Sequence, residues 1–383
     1  MGRIAWLLTM MGLFLALVYI FYRGICWSFG LKPSKALCLG FFVPAITLII
    51  LAFSRTLHGF HGIFAIFATF LALLWIFAMV SAVVSLASLV SKALWWQQAC
   101  RTALPVLFVI MVAYAWFNAH SPVVQHYHIT LNKPSPKLTI GFVADLHLGN
   151  QVGVKEIERL SNIFQQEQVD MVLMPGDIIN DDATPYYAQG MDKALKALSS
   201  RIPLGVFGTM GNHEFYGNEL RNAQALRDGG IQLLRDEIQV VDGKWVIVGR
   251  DDQMNRNRAT TTELLDELLE DLLPDVQDHR TETAQLLPPQ SLSQLPIFLL
   301  DHRPDQMLQH ADLNIDIQVS GHTHKGQIFP ANFITQKMYP LHHGYAQWGN
   351  GHFFTTSGYG FWGVPLRLGS RSEVVIMHIT GKE

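Results

Sequence analysis

The sequence predicts two parts of different fold class: an all-α transmembrane region over residues 1–120 and an α/β domain over residues 138–383. Three observations predict this division. Apolar stretches without charged residues fill the first part, and short apolar runs alternate with helical periods in the second. A polar segment with three prolines, residues 121–137, lies between them and is typical of a linker.

Four apolar stretches predict four membrane-spanning helices, at residues 5–22, 36–53, 63–90 and 103–117. A span needs about 20 mostly apolar residues. Buried core helices are the alternative, but they would show a polar face, which the third stretch lacks. The first stretch could instead be a signal peptide, because Arg3 precedes it. Its length, the lack of an Ala-x-Ala-type cleavage site and the three further spans favour a membrane helix.

Basic residues in the short loops predict the orientation of these spans. They concentrate in the first and third loops, whereas the N-terminus has Arg3 and the second loop has Arg55; the concentrated set is Arg23, Lys32, Lys35, Lys92 and Arg101. The positive-inside rule then places both termini, and the whole α/β half, outside the cytoplasm. We therefore expect a multi-pass integral protein of the cell membrane with an extracytoplasmic α/β domain.

Charge and cysteine content exclude some classes of partner. A net charge of −3 and a pI near 6.6 leave no basic stripe, so nucleic acid is not expected as a structural partner. The cysteines, Cys26, Cys38 and Cys100, all belong to the apolar half. The α/β half therefore has neither a disulfide framework nor a thiolate metal site.

Within the α/β half, apolar runs predict strands and periodic segments predict helices. Residues 238–248 are typical of a hairpin that turns at Asp242-Gly243. The predicted strands are 138–144, 169–174, 204–209, 297–300, 315–319, 353–357 and 374–379, and the predicted helices are 154–167 and 186–198.

Residues 260–273 predict a further helix that begins with a capping box, Thr260-x-x-Glu263. Leucines occupy one face and acidic residues the other. We expect this helix to pack on the domain core, with a lid or a membrane-contacting helix as the alternative. The polar segment 274–296 is expected to be a loop.

Five short blocks follow apolar runs, where parallel strands present their carboxyl ends and open α/β sheets bind ligands. They are Asp145-x-His147, Gly176-Asp177, Gly211-Asn212-His213-Glu214, His302-Arg303-Pro304 and Gly321-His322-Thr323-His324. In Asp145-x-His147 both side chains lie on one face, because a strand has period two. Asp177 has two oxygens and can bridge two cations. The mixed nitrogen and oxygen set suits two divalent ions of Mn, Fe, Zn or Co rather than Mg or Ca.

Two such cations about 3.5–4 Å apart can hold a hydroxide between them and bind both oxygens of an in-line displacement at phosphorus. His213 follows the candidate ligand Asn212. It is placed to protonate the leaving oxygen or to stabilise its charge. The blocks thus predict a metal-dependent phosphoric ester hydrolase.

The blocks resemble the calcineurin-like metallophosphoesterase superfamily, and more closely its membrane-associated bacterial YkuE/YaeI-type phosphodiesterase branch. That branch has D-x-H-x-G, H-x-P and S-G-H-T-H-x-G-Q, which this chain matches at residues 145–149, 302–304 and 320–327. The resemblance covers the chain from about residue 138 and implies a β-sandwich flanked by helices. It also implies that Asp145, His147, Asp177 and His324 bind one metal, that Asp177, Asn212, His302 and His322 bind the other, and that His213 is catalytic.

Two departures from the family pattern are visible. Asn180 stands at the usual position of a second acid, with Asp181 one residue later. Lys325 stands where the branch commonly has glycine, and it could either bind a substrate phosphate or point to solvent.

The function predicted is therefore a membrane-anchored phosphoesterase, a phosphodiesterase by preference, acting on cell-envelope, lipid or nucleotide phosphates. One alternative is a lipid pyrophosphate hydrolase of the UDP-diacylglucosamine type, whose cytoplasmic substrate disagrees with the predicted topology. Another is a non-catalytic metal-binding sensor, which would not be expected to retain every ligand and His213.

We expect the other histidines and several aromatic residues to lie outside the metal site. The pair His342-His343 is expected to be solvated in a loop, and His126 and His128 to be structural. Tyr359, Phe361 and Trp362 are expected in the core, with a substrate groove as the alternative.

Overall fold

A computed structural model describes residues 2–53, 61–270 and 294–382. The chain divides into two compact units. One comprises Met1–Asn118 with Gly363–Leu366, and the other comprises Ala119–Trp362 with Arg367–Glu383.

The first unit is built from long apolar helices: α1 (Gly2–Phe29), α2 (Lys35–Phe53), α3 (His61–Ser88) and α4 (Leu94–His120). Within the described residues, four segments are long and apolar enough to cross a membrane: Thr9–Phe29, Lys35–Ala52, Ala65–Ser88 and Leu94–His120. The outer two are longer than predicted, so Arg23 and Arg101 lie inside helices rather than in loops. Arg55 lies outside the described residues. The protein is thus a membrane protein by the length and composition of these helices.

The second unit contains two six-stranded sheets among its described residues. The first sheet has the order β1 (Val123–Leu131), β12 (Glu373–Gly381), β2 (Leu138–Phe142), β3 (Met171–Pro175), β4 (Val206–Thr209) and β5 (Ile231–Leu233). The second has the order β10 (Gly344–Trp348), β11 (Gly351–Thr355), β9 (Ile317–Ser320), β8 (Ile297–Leu300), β7 (Trp245–Gly249) and β6 (Glu237–Val241). Because β2 to β5 are parallel, and β7, β8, β9 and β11 are parallel, their carboxyl ends share an edge in each sheet.

The two sheets pack face to face over an apolar core. Phe142 and Phe207 of the first sheet meet Phe298 and Phe354 of the second. The outer face of the first sheet is covered by α5 (Val154–Gln166), α6 (Ala183–Ala188), α7 (Met191–Ser199) and α9 (Glu219–Asp228). Two short helices, α8 (Asn212–Tyr216) and α11 (Met307–His310), follow β4 and β8 in the chain. The result is a β-sandwich flanked by helices, which confirms the predicted fold class.

The predicted helix over residues 260–273 is present as α10 (Thr261–Glu270) on the outer face of the second sheet. Its leucines Leu264, Leu265 and Leu268 are buried against strands of that sheet. Packing on the core is therefore correct, and the lid or membrane-contact alternative is wrong for these leucines. Residues 271–293, which include the rest of this prediction and most of the predicted loop, lie outside the described residues.

The expectation of a linker at residues 121–137 is wrong for most of that segment. Residues 123–131 form β1, which pairs in parallel with β12 over nine residue pairs from Val123↔Glu373 to Leu131↔Gly381. Local sequence does not identify this strand, because its only neighbour in the sheet lies 250 residues away in the chain. The hairpin of β6 and β7 is confirmed, with positive φ at Asp242 and Gly243 as its turn requires.

Candidate metal centre

The candidate ligands converge at the carboxyl edges of both sheets. Each follows a strand within a few residues, and nearly all are buried. The first sheet presents Asp145 and His147 after β2, Asp177 after β3, and Asn212 after β4, while the second presents His302 after β8 and His322 and His324 after β9.

The backbone at the centre adopts a conformation that side-chain-bearing residues rarely use. Five of the candidate ligands have positive φ, between 46° and 70°: Asp145, His147, Asp177, His322 and His324. Such residues are uncommon and cluster at functional sites, where the surrounding structure holds them. Here the conformation turns successive polar side chains toward one centre.

Gly176 explains how two ligand-bearing turns approach each other. Its φ is +80°, and a Cβ built there would lie 2.5 Å from the backbone nitrogen of Gly211. A side chain at residue 176 would therefore separate Asp177 from Asn212. The Gly-Asp and Gly-Asn dipeptides of the sequence pattern are needed for this close packing.

The donor atoms form a first group around His147. Its Nε2 lies 3.0 Å from Nε2 of His324, and that atom lies 3.9 Å from Oδ1 of Asp145. The three donor atoms of this group lie within 4.8 Å of one another. The group thus offers two imidazoles and a carboxylate to a single ion.

A second group forms around His302. Its Nε2 lies 3.2 Å from Oδ2 of Asp177 and 3.3 Å from Oδ1 of Asn212. Asp177, His302 and His322 also place one donor atom each within 4.8 Å of the others. Oδ2 of Asp177 is 4.0 Å from Nε2 of His147, so one oxygen faces both groups.

Three of the candidate imidazoles are held neutral, which is the state in which an imidazole binds a cation. Burial, with His213 nearby, lowers the pKa of His147 to about 3, and burial with the charge of His302 lowers the pKa of His322 to about 3. Burial also holds the pKa of His324 well below its usual range. Burial opposes ionisation of Asp177, but the charge and hydrogen bond of His302 hold its pKa well below its usual range. Burial opposes protonation of His302, but Asp177 raises its pKa to about 10, and burial raises the pKa of Asp145 to about 7. A cation would displace the protons of these two residues on binding. The donor types, which are imidazole nitrogens with carboxylate and amide oxygens, fit divalent cations.

His213 forms an ion pair with a residue whose role the sequence left open. Its Nδ1 lies 2.6 Å from Oδ1 of Asp181. Although burial opposes protonation, the hydrogen bond to Asp181 raises the pKa of His213. The chain has Asn180 at the position where the family pattern has an acid, and the next residue, Asp181, with a φ of 65°, carries the carboxylate that meets the imidazole.

Glu214 connects two of the turns that bear candidate ligands. Its buried carboxylate accepts hydrogen bonds from the backbone nitrogens of Asp177 at 3.0 Å, Ile179 at 2.8 Å and Gly211 at 2.8 Å. The turns after β3 and β4 are therefore held together by one side chain. The Gly-Asn-His-Glu block contained this residue, but its spacing did not indicate the role.

Two arginines near the centre were not identified from the sequence. Arg367 is fully buried, donates to the carbonyl of Ser357 at 2.6 Å and lies 3.2 Å from Nδ1 of His324. Arg303 is held by Asp252 through bonds of 2.6 and 3.0 Å. Arg303 stands in the His302-Arg303-Pro304 block without an assigned role, and Arg367 belongs to none of the five blocks. Their contacts with Asp252 and His324 are with residues distant in the chain.

The remaining predicted residues divide between structural and peripheral positions. His343 is not simply solvated, because its Nε2 lies 3.2 Å from Oε2 of buried Glu373. Tyr359 and Phe361 are buried, as expected, whereas Trp362 is 51% exposed. Lys325 is half-buried beside His324.

His126 and His128 of β1 are exposed and lie against His378 of β12. The ring centroids are 5.6 and 4.8 Å from that of His378. They are remote from the candidate ligands in the sheet, where β12 separates β1 from β2.

Comparison with known proteins adds the family. The calcineurin-like phosphoesterase family model matches residues 138–326. An uncharacterized metallophosphoesterase of Aquifex aeolicus is 27% identical over 282 residues, which cover 72% of this chain and 98% of that protein. Metallophosphoesterase YkuE of Bacillus subtilis is 25% identical over 61% of this chain and 76% of its own length.

A transmembrane protein with metallophosphoesterase domain from Bos taurus is 27% identical over 297 residues, covering 72% of this chain and 62% of that protein. The family match contains every candidate ligand together with His213 and Asp181. The chain carries a domain of the calcineurin-like metallophosphoesterase family and is a metal-dependent phosphoester hydrolase.

Proposed function

We propose that this protein is a membrane-anchored phosphodiesterase whose site binds two divalent cations. The position of Asp177 carries the proposal: one carboxylate oxygen faces His147 at 4.0 Å and His302 at 3.2 Å, one histidine from each donor group. A bridging carboxylate between two ions needs this arrangement. Mn, Fe, Zn and Co suit the mixed donors.

The family resemblance divides the ligands in a way that agrees with the two donor groups. Asp145, His147, Asp177 and His324 would hold the first ion, and the second would be held by Asp177 with the remaining ligands Asn212, His302 and His322. Five of these seven residues have positive φ, and the closely packed Gly176 and Gly211 precede Asp177 and Asn212. Rigid turns of this kind place ligands without reorganisation when an ion binds.

When bound, two such cations supply Lewis acidity toward the phosphoryl oxygens and lower the pKa of water near neutral pH. His213 supplies the proton that the leaving oxygen needs. Asp181 orients the imidazole through Nδ1, at 2.6 Å, which leaves Nε2 as the atom that can carry the proton to substrate. Arg303, fixed by Asp252, adds positive charge beside His302 toward a substrate phosphate.

We infer the preference for diesters from the resemblance to the phosphodiesterase branch. The matching segments are the Asp145-x-His147-x-Gly149 block and residues 320–327. The four apolar helices support anchoring in the cell membrane. The basic residues near the ends of α1, α2, α3 and α4 favour loops at 30–34 and 89–93 inside the cytoplasm. The catalytic domain would then act outside the cytoplasm on phosphate esters of the envelope or of lipids.

The test uses the full chain, purified in detergent and freed of metal, with Mn, Zn, Co, Mg or chelator added back. Its substrates are bis-p-nitrophenyl phosphate and p-nitrophenyl phosphate. We expect turnover with Mn, Zn or Co, two ions per chain, and a higher kcat/KM for the diester. A higher value for the monoester would replace the diester preference. Two bound ions without turnover of either ester would favour the sensor instead.

The side of the membrane is tested separately in intact cells with a membrane-impermeant maleimide. Glu158→Cys in the exposed face of α5 should be labelled from outside, and Ser91→Cys in the loop after α3 should not. The reverse pattern would place the catalytic domain in the cytoplasm.

A further inference from the structure

The helix α12 (Ala331–Met338) exposes apolar side chains and buries no residue fully. Its apolar residues Phe333, Ile334 and Met338 are 53%, 59% and 63% exposed. The polar residues Gln336 and Lys337 are exposed as well, whereas Asn332 and Thr335 are half-buried. Among the described residues, Oδ1 of Asn332 is buried without a hydrogen-bond partner. Contiguous exposed apolar side chains of this kind mark an interaction surface.

This apolar surface continues to the catalytic centre. Phe329, 40% exposed, packs on Phe333 with ring centroids 5.6 Å apart. Gln327 joins it to Trp362: its side chain accepts from the nitrogen of Trp362 at 3.0 Å and donates to its carbonyl at 3.1 Å. The half-exposed ring of Trp362 lies 6.1 Å from that of His213. We call Phe329, Phe333, Ile334, Met338 and Trp362 the apolar rim.

Charge indicates what covers the apolar rim. The chain as a whole is negative, yet residues 317–372 contain no Asp or Glu. They carry Lys325 and Lys337 next to the rim, with Arg367 and Arg371 further along. Lys337 lies on the same face of α12 as Phe333 and Ile334, so its stem can lie among apolar groups while its ammonium reaches a headgroup. Apolar and aromatic side chains with interspersed lysine are the composition that binds an anionic lipid surface.

The helix α10 shows that this arrangement is not a general property of the domain. It buries Leu264, Leu265 and Leu268 and directs Glu263, Asp266 and Glu267 to solvent. The domain is joined to the apolar helices by a short stretch of chain, because α4 ends at His120 and β1 begins at Val123.

We propose that the apolar rim inserts into the interfacial layer of an anionic bilayer, and that the metal centre hydrolyses phosphate esters anchored in that bilayer. The second statement rests on the proposed function, whereas the first does not. Because Trp362 joins the rim to His213, a headgroup phosphate entering from the rim would reach the catalytic residue without leaving the membrane surface.

Lipid contact is tested with the full chain reconstituted in vesicles of phosphatidylcholine and phosphatidylglycerol at 3:1. In a background of Cys26→Ala, Cys38→Ala and Cys100→Ala, a bimane fluorophore is attached at Ile334→Cys or, as the control, at Glu158→Cys on α5. Nitroxide at carbon 5 of the acyl chain should quench the label at 334 several-fold more than the label at 158, with blue-shifted emission. Equal quenching, or a blue shift without quenching, would overturn lipid insertion; the latter would indicate a protein partner.

The substrate class is tested in the chain with its native cysteines. Phe333→Gln with Ile334→Gln keeps the charge and should leave turnover of bis-p-nitrophenyl phosphate unchanged. Turnover of hexadecyl p-nitrophenyl phosphate in the same vesicles should fall by at least about tenfold. The loss of one buried apolar side chain lowers the affinity of the domain for the bilayer by at least that factor. Equal turnover of the anchored ester by variant and parent would overturn the substrate class. A parent inactive on both esters would refute the proposed function, and the quenching result would still decide lipid insertion.

Discussion

The two sheets contribute different chemistry to one centre. The first sheet presents both carboxylates, Asp145 and Asp177, with the amide of Asn212, whereas the second presents imidazoles only. In the proposed centre, the negative charge that would hold cations therefore comes from the turns after β2 and β3. The imidazoles of the second sheet would complete the coordination without adding negative charge. A lost ligand should be more damaging on the first sheet than on the second.

The largest effect is expected for Asp177→Asn, which keeps the size of the side chain and removes its charge. We expect turnover to fall at least about 1,000-fold, because charge stabilisation by the cations amounts to several kcal/mol, and bound metal to fall below two ions per chain. Steady-state kinetics and elemental analysis measure both. The control is Asp170→Asn at the other end of β3, where the carboxylate accepts from the nitrogen of Thr139 at 2.8 Å. Equal losses in the two variants would contradict a special role for Asp177.

His322→Asn tests the second sheet. One neutral donor is lost, so we expect metal affinity to fall at least about tenfold, since even partners outside the coordination sphere contribute that much. Activity should return in part as metal is raised, unlike that of Asp177→Asn. A metal titration of both variants measures the difference. Recovery in both, or in neither, would remove the distinction between the sheets.

Asp181→Asn changes a residue that follows β3 of the first sheet and is not a candidate ligand. The two ions should stay bound, while kcat falls about 10- to 100-fold as His213 loses its orienting partner. The loss should be larger for a diester with a poor leaving group, such as phenol, than for one with p-nitrophenol. The neighbouring Asp182→Asn, which changes the N-cap of α6, is the matched control. A loss independent of the leaving group would argue against a proton transfer through His213.

The smallest effect on catalysis is expected for a substitution in α10, the helix that packs on the outer face of the second sheet. Leu268→Ala, at a side chain 6% exposed, should lower the free energy of unfolding of the catalytic domain by about 2–5 kcal/mol through the cavity it leaves. The kcat of the folded protein should not change. Leu308→Ala, 56% exposed, is the control and should shift the unfolding transition very little. Thermal unfolding in detergent, read with kcat, separates the two effects.

Much of the domain could be predicted because its sequence signals are local. Apolar runs marked β2, β3, β4, β8 and β9, and each ran directly into a ligand block. The helix α10 followed from a capping box and a leucine face. In such segments the burial that the fold requires is visible within a dozen residues.

What the sequence left undetermined depends on partners far away in the chain. The strand β1 is an edge strand between prolines, and only pairing with β12 distinguishes it from a linker. Asp181 stands one residue beyond the family position, and a backbone with φ of 65° was needed to aim it at His213. The outward face of α12 was not predictable, because periodicity identifies an apolar face but not what lies opposite it.

The position of β12 between β1 and β2 has a consequence for the order of events during synthesis. β1 emerges from the ribosome just after the last membrane helix, but its partner in the sheet follows 250 residues later. Until then the nascent domain holds an unpaired strand beside the membrane, and such edges invite association with other chains. Long-range pairing of this kind also slows folding. Ribosome stalling or truncation ahead of residue 373 should therefore yield an inserted but aggregation-prone protein, whose cellular fate depends on chaperones and proteases at the membrane.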